Sequence, residues 1–177
     1  MRTRNGLKIR VDEGIRFRAE RIQIVGATLF TEEYLKSVMV QKEGEPFDGE
    51  TTQADLKLMG ALYKQKAHLF ARIKIDIGFT ENENGCTVLL TVDEGLPISI
   101  ERVEIRGNVK TVDKVIRREL RLLPGELYDG SKLEESLSNL RRLSYFKGIK
   151  TDFTAGSAED RRNLVLEMEE GETGQIG

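Results

Sequence analysis

The chain states one pattern twice. Glu20-Arg21-Ile22-Gln23-Ile24-Val25-Gly26 returns as Glu101-Arg102-Val103-Glu104-Ile105-Arg106-Gly107, an offset of 81 (107 − 26). At the same offset Gly44-Glu45-Pro46-Phe47-Asp48-Gly49 returns as Gly125-Glu126-Leu127-Tyr128-Asp129-Gly130. Downstream the offset falls to 76 (149 − 73): Ile73-Lys74 matches Ile149-Lys150, and Glu94-Gly95 matches Glu170-Gly171. An internal repeat constrains a fold more than length does. Two tandem units of roughly 75–80 residues follow, each near the lower limit for a self-sufficient core. The first carries five more residues (81 − 76) between Leu62 and Ile73.

Each unit opens with an alternating strand, Ile22 and Ile24 in one copy, Val103 and Ile105 in the other. That is the period of a half-buried strand. Gly26 and Gly107 end it. Upstream the apolar phase breaks, from Phe17 and Ala19 to Ile22, and from Ile98 and Ile100 to Val103. A phase change means a bulge or a change of partner. Ile15–Ala19 and Leu96–Ile100 read as inter-unit connectors whose apolar residues pack against the preceding unit. Short helices follow over Thr31–Val40 and Val112–Leu122, with Thr31 as an N-cap. Asp48 and Asp129 cap second helices, and Tyr128 with Leu133 has the spacing of a hydrophobic staple. Those helices carry Leu56, Met59, Leu62 and Tyr63, and Leu133, Leu137, Leu140 and Leu143. The five extra residues fall at the first one's exit, around Lys64–Arg72, as one more turn or a longer loop. Two strands close each unit: Ile73–Ile77 then Thr87–Val92, and Ile149–Phe153 then Asn163–Met168. The order strand–helix–helix–strand–strand puts two helices on one face of a three-stranded sheet, an α+β class.

Lys and Arg number 28 against 30 Asp and Glu, a balance that argues against phosphate-backbone binding. No apolar run reaches the ~18–20 residues of a membrane helix. No signal peptide follows Met1, which suits either a cytoplasmic chain or a piece of a longer secreted one. His68 has no second His and reads as a helix-end residue. Cys86 has no partner for a disulfide and reads as a small residue opening a strand. The Glu81–Gly85 run lacks calcium-loop spacing and reads as a hairpin turn. No nucleophile–base pair, phosphate loop or metal cluster is present, so no enzyme, metal or cofactor is expected.

The pattern resembles the POTRA (polypeptide-transport-associated) family, and specifically its arrays in outer-membrane barrel assembly factors. The resemblance rests on Ile22–Gly26 and Val103–Asn108, on the Gly44–Asp48 and Gly125–Asp129 turns, on Leu140–Lys150, and on the ending Glu170-Gly171-Glu172-Thr173-Gly174. It covers residues 6–177. Order, spacing and duplication carry it, since each motif alone is short. One departure is Gln65-Lys66-Ala67-His68-Leu69-Phe70-Ala71, where many members have a Gly-Tyr pair before the strand; His68 stands in place of the Tyr. Gly6–Gly14, with Val11-Asp12-Glu13-Gly14 matching Val92-Asp93-Glu94-Gly95, reads as the tail of an earlier unit. The expected layout is that tail over 1–14, a penultimate unit over 15–95, a last unit over 96–172, and the start of a barrel linker over 173–177.

The resemblance implies a mixed sheet with the sequence-middle strand at its edge, where an extended peptide can pair with the backbone. Candidate binding residues are Arg72, Ile73, Lys74, Ile75, Asp76 and Ile77, with Lys150, Thr151, Asp152 and Phe153, acting through the main chain. The groove beside the second helix would add weak side-chain selection. The implied partners are unfolded outer-membrane β-barrel proteins, periplasmic lipoproteins of the assembly machinery and the parent chain's own C-terminal membrane barrel. The implied location is the periplasmic side of the outer membrane of a Gram-negative bacterium. One alternative is the POTRA region of a two-partner secretion transporter, against which the vestige of a third unit argues. Another is a KH-like nucleic-acid module, but the turns between the helices lack its Gly-x-x-Gly clamp and carry acids that repel phosphate.

Overall fold

A computed structural model describes residues 17–80 and 84–171. The expected tail at 1–14, the linker at 173–177 and part of the Glu81–Gly85 turn lie outside the described residues. The first unit runs β1 (Arg18–Val25), α1 (Glu32–Val38), α2 (Gly49–Gln65), β2 (Arg72–Phe79) and β3 (Gly85–Asp93). The second runs β4 (Ser99–Arg106), α3 (Asp113–Arg117), α4 (Gly130–Arg142), β5 (Phe146–Ala155) and β6 (Arg161–Glu170). Each unit forms a three-stranded mixed sheet, ordered β1-β3-β2 and β4-β6-β5. The first strand runs parallel to the central one and the middle strand antiparallel to it. The α+β class holds in both units.

Each sheet buries one face under its helices. The first core gathers Ile22, Leu35, Met59, Tyr63, Val88 and Leu90; the second gathers Ile98, Ile100, Ile116, Leu140, Leu164 and Leu166. The central strand β3 buries Cys86, Val88, Leu90 and Val92 at alternate positions, the sign of one face on the core, whereas β6 buries Asn163, Leu164, Val165 and Leu166 in succession and then Met168. Asp48 accepts from the Glu50 and Thr51 N–H groups, and Asp129 from those of Ser131 and Lys132, so both are N-caps. Thr31 caps α1 through the Tyr34 N–H. Tyr128 and Leu133 are buried in one cluster, as the staple spacing suggests.

Two expectations need correction. The phase breaks are bulges inside β1 and β4, at Ala19/Arg21 and Ile100/Arg102, and not exchanges of sheet. One extra residue turns both apolar phases toward the same core. Ala19 is therefore buried in the first core, and Ile98 and Ile100 in the second, with Ile98 also bonded through its N–H to Ala67 of the first unit. The first helices are also shorter than predicted. α3 ends at Arg117, and its N-cap position is Val112, which has no side chain to hold the first turn. Leu120 and Leu122 are still buried, from the loop that follows.

Gly26 and Gly107 end the first strands at φ of 82° and 80°. A Cβ on either would collide with the carbonyl of Val92 or Met168 on the central strand. Gly26→Ala and Gly107→Ala are each expected to cost about 1–3 kcal/mol, read as a lowered urea midpoint with an unchanged slope.

Candidate peptide-binding edges

A sheet of three strands has two edges, and here they are treated oppositely. The outer edge of β1 is closed. The repeated turn lies along it as a short added strand: Gly44 N–H donates to Ala19 C=O at 2.7 Å, Ala19 N–H to Glu45 C=O at 2.9 Å, and Phe47 N–H to Phe17 C=O at 2.8 Å. Farther along, Ile22 N–H donates to the Glu43 carboxylate at 2.8 Å and Ile24 N–H to Glu32 at 3.4 Å. The Ile22 N–H, then Lys36, hold the Glu43 carboxyl below its usual range. β4 is covered the same way, with Gly125 N–H on Ile100 C=O at 2.7 Å and Tyr128 N–H on Ile98 C=O at 2.8 Å. Arg117 donates to Val103 C=O at 3.2 Å. The Gly-Glu-x-Phe/Tyr-Asp turn thus does two jobs, sealing an edge and starting a helix.

β2 and β5 form the opposite edges, and all ten candidate residues lie on them. Their backbone phase follows from the hairpins. Thr80 N–H donates to Gly85 C=O, and Gly156 N–H to Arg161 C=O. Antiparallel pairs alternate between bonded and non-bonded. Carried along the register, Arg72, Lys74 and Asp76 bond to β3, as Lys150 and Asp152 do to β6. The N–H and C=O groups of Ile73, Ile75 and Ile77, and of Thr151 and Phe153, point outward. The ten candidates thus divide by parity into five that hold the sheet and five whose backbone faces outward, although the Phe153 N–H is already taken by the Asp152 carboxylate at 2.8 Å. Side chains divide too: Ile73 and Ile75 pack toward the first core, while Lys74 and Asp76 pair at 3.1 Å on the other face.

The segment Lys64–Arg72, where the first copy is longer, builds the junction between the units. α2 has 17 residues against 13 in α4, one extra turn. Beyond it Ala67 C=O accepts the Ile98 N–H at 2.9 Å, and Ala67 takes a left-handed φ of 70°. Leu69 packs against the second core, and the Arg162 guanidinium sits over the Phe70 ring at 5.0 Å. His68 Nδ1 lies 2.9 Å from the Glu94 carbonyl; a carbonyl only accepts, so Nδ1 carries the proton.

One residue pair escaped the sequence reading as anything but repeat. The Glu94 carboxylate accepts from the N–H groups of Thr28 at 2.7 Å and Leu29 at 2.9 Å, from the Thr28 hydroxyl, and from the Tyr63 hydroxyl at 3.1 Å. Burial alone would raise its pKa, but these bonds outweigh that and bring it down to about 2. Glu170 repeats the clamp on Lys110 N–H and Thr111 N–H, at 2.9 and 2.7 Å. The signal was the identical Glu-Gly at the end of both copies.

The family model for POTRA, described as "Surface antigen variable number repeat", matches residues 17–95 and again 98–171. Among curated relatives, the outer membrane protein assembly factor BamA of Nitratidesulfovibrio vulgaris is 29% identical over 170 residues, covering 94% of this chain and 22% of its own. BamA of Neisseria meningitidis serogroup B is 27% identical over 177 residues, covering 99% and 22%. The chain thus spans about a fifth of the length of these relatives. Among solved structures, Haemophilus influenzae BamA POTRA3-5 superposes with a TM-score of 0.80 at 17% identity, over 87% of this chain and 61% of that one. BamA of Haemophilus ducreyi lacking POTRA domains 1-3 gives 0.75 at 18% identity, over 88% and 30%. Two matches of the family model, one on each sheet-and-helix unit, show that the chain belongs to the POTRA family and carries two of its domains in tandem.

Proposed function

We propose that these two domains are the client-receiving arm of an outer-membrane β-barrel assembly factor, held on the periplasmic side of that membrane. In this reading β2 and β5 take up unfolded barrel segments by strand addition. Arg72–Ile77 and Lys150–Phe153 act through backbone groups, and the same arm docks periplasmic lipoproteins and leads to the parent chain's membrane barrel. The observation that carries the reading is the asymmetry of the edges. Each sheet seals one edge with a turn and charged side chains, yet leaves the other with outward N–H and C=O groups. Unprotected edges are an aggregation liability that proteins usually blunt. Pairing through main chain is also nearly indifferent to client sequence, which suits a receiver of many barrels. The relatives' names, outer membrane protein assembly factors, support the assembly part of this reading.

The test is an amide NMR titration of the chain with a peptide copying the C-terminal strand of a barrel protein, at up to roughly millimolar peptide. Shifts on Ile73, Ile75 and Ile77 or on Thr151 and Phe153, with little change on β1 and β4, are expected. Shifts confined to the sealed edges, or none at all, would remove client capture and leave a spacer or docking platform.

A further inference from the structure

The open edge of β5 does not stand alone. Beside it, on the helix side, lies a groove of about 610 Å³ whose walls come from both domains. Ala61, Lys64 and Leu69 line it from the first domain; Tyr128, Leu133 and Phe153 line it from the second. Tyr128 and Phe153 meet edge to face at 5.5 Å, and Leu69 packs onto the same core. The helices close on each other at Gly130, which backs onto Lys64. The extra turn of α2 and the loop after it thus supply one wall of the groove beside the other domain's open edge.

We infer that this inter-domain groove is a side-chain pocket for the strand that adds to β5, and that it selects a bulky apolar residue, an aromatic above all. The inference rests on the strand-addition reading. Its occupant is fixed by two complementarities. The outward N–H and C=O of Thr151 and the outward C=O of Phe153 match another extended backbone; the Phe153 N–H donates to the Asp152 carboxylate at 2.8 Å, which an incoming carbonyl would have to replace. A strand paired there would set the residues opposite Thr151 and Phe153 about 5 Å away on the same face, over the aromatic floor, where an edge-to-face partner gains beyond its area. Lys64 stands at the exposed rim, where its stem can cover such a ring while its ammonium stays in water. The same geometry makes the pocket conditional on the junction: a bound strand touches α2 of one domain and β5 of the other, so it holds the two together. The first domain's β2 edge has no such second wall among the described residues, so selection there is weaker.

The experiment uses the whole chain and two peptides of about ten residues, rich in Thr and Lys, differing only in a central Phe or Ala. Side-chain methyl signals of Leu69 and Leu133 and amides of both edges are followed by NMR. The Phe peptide is expected to bind the β5 edge about tenfold more tightly than the Ala peptide, shifting the Leu69 and Leu133 methyls. The preference should be much smaller at β2. Ala61→Phe, at an exposed helix position, fills the groove from the first domain and is expected to abolish the preference at β5 while leaving β2 binding unchanged. Equal binding of the two peptides at β5, or a preference that survives Ala61→Phe, overturns the pocket and leaves strand addition standing. No shift on β5 with either peptide overturns both for this domain.

Discussion

Proline at Thr151 is expected to leave the second domain folded and to weaken peptide capture at its edge by tenfold or more, whereas proline at Asp152, one residue later, should cripple the fold. The two positions share a strand and both are exposed. Their side chains lie on opposite faces, but the decisive difference for proline is where their backbone points. The Asp152 N–H belongs to the ladder with Val165. Losing it removes a sheet hydrogen bond and forces the ring against the neighbouring strand, at about 2–3 kcal/mol. The Thr151 N–H faces outward, and proline is tolerated on an edge strand when its missing donor faces solvent. Its substitution costs about 1 kcal/mol through φ alone. It removes one of the donors an incoming strand would use and puts a ring in that strand's path. Circular dichroism with urea titration measures the first effect, and the peptide titration measures the second. A Thr151→Pro protein that binds as well as the parent would show that peptides reach the domain some other way. An Asp152→Pro protein of parental stability would show that the hydrogen-bond phase is the reverse.

The repeat made the fold legible, because two imperfect copies separate what the unit needs from what one copy happens to have. Ile22 and Val103, Asp48 and Asp129, and Leu56 and Leu137 occupy the same places in both domains. The sequence was less informative wherever the cause was tertiary. Alternation shows that phase breaks at Ala19 and Ile100 but not whether the strand bulges or changes partner; the buried side chains of Ala19, Ile98 and Ile100 decide it. The turn Gly44–Asp48 reads as a helix start because capping is local. Its second job, sealing β1, needs a strand 28 residues away in sequence (46 − 18), as in the Arg18–Pro46 bridge. Lys64–Arg72 could be recognised as an insertion, but its purpose lies in the next domain, against Ile98 and the second core. The candidate edges were placed by family resemblance. Which half of their residues presents a free backbone was not readable from sequence, since side-chain alternation does not fix the hydrogen-bonding phase without a pairing partner.

Glu94→Ala is expected to destabilise the first domain by about 3 kcal/mol at neutral pH, more than any other exposed or half-buried substitution in β3 and its exit. One carboxylate gathers the start of the α1 loop through Thr28 and Leu29 and the end of α2 through Tyr63. Tyr63 is fully buried, and its hydroxyl has Glu94 as its partner. Alanine leaves that hydroxyl and two N–H groups without their acceptor, each loss costing about 1–3 kcal/mol before water compensates. The half-exposed position and solvent screening hold the total near the lower end. Glu94→Gln keeps the shape and one acceptor oxygen and should recover about half of the loss. The pH dependence has a definite sign. The folded carboxyl titrates at about 2 and the unfolded one near the usual 4.5, so the unfolded state binds the proton first. The contribution is complete above about pH 4.5–5 and drains away as pH falls toward 2. Glu170, also lowered by its clamp on Lys110 and Thr111 despite burial, moves the same way in the second domain. Urea titrations of the parent and Glu94→Gln between pH 7 and pH 2.5 check this: the two curves should converge on acidification. A gap that stays constant would mean that Glu94 acts through packing and not through its charge. A gap that widens would reverse the sign of the linkage, because it would require the folded carboxyl to hold its proton more tightly than the unfolded one, against the geometry of four donors aimed at a single carboxylate.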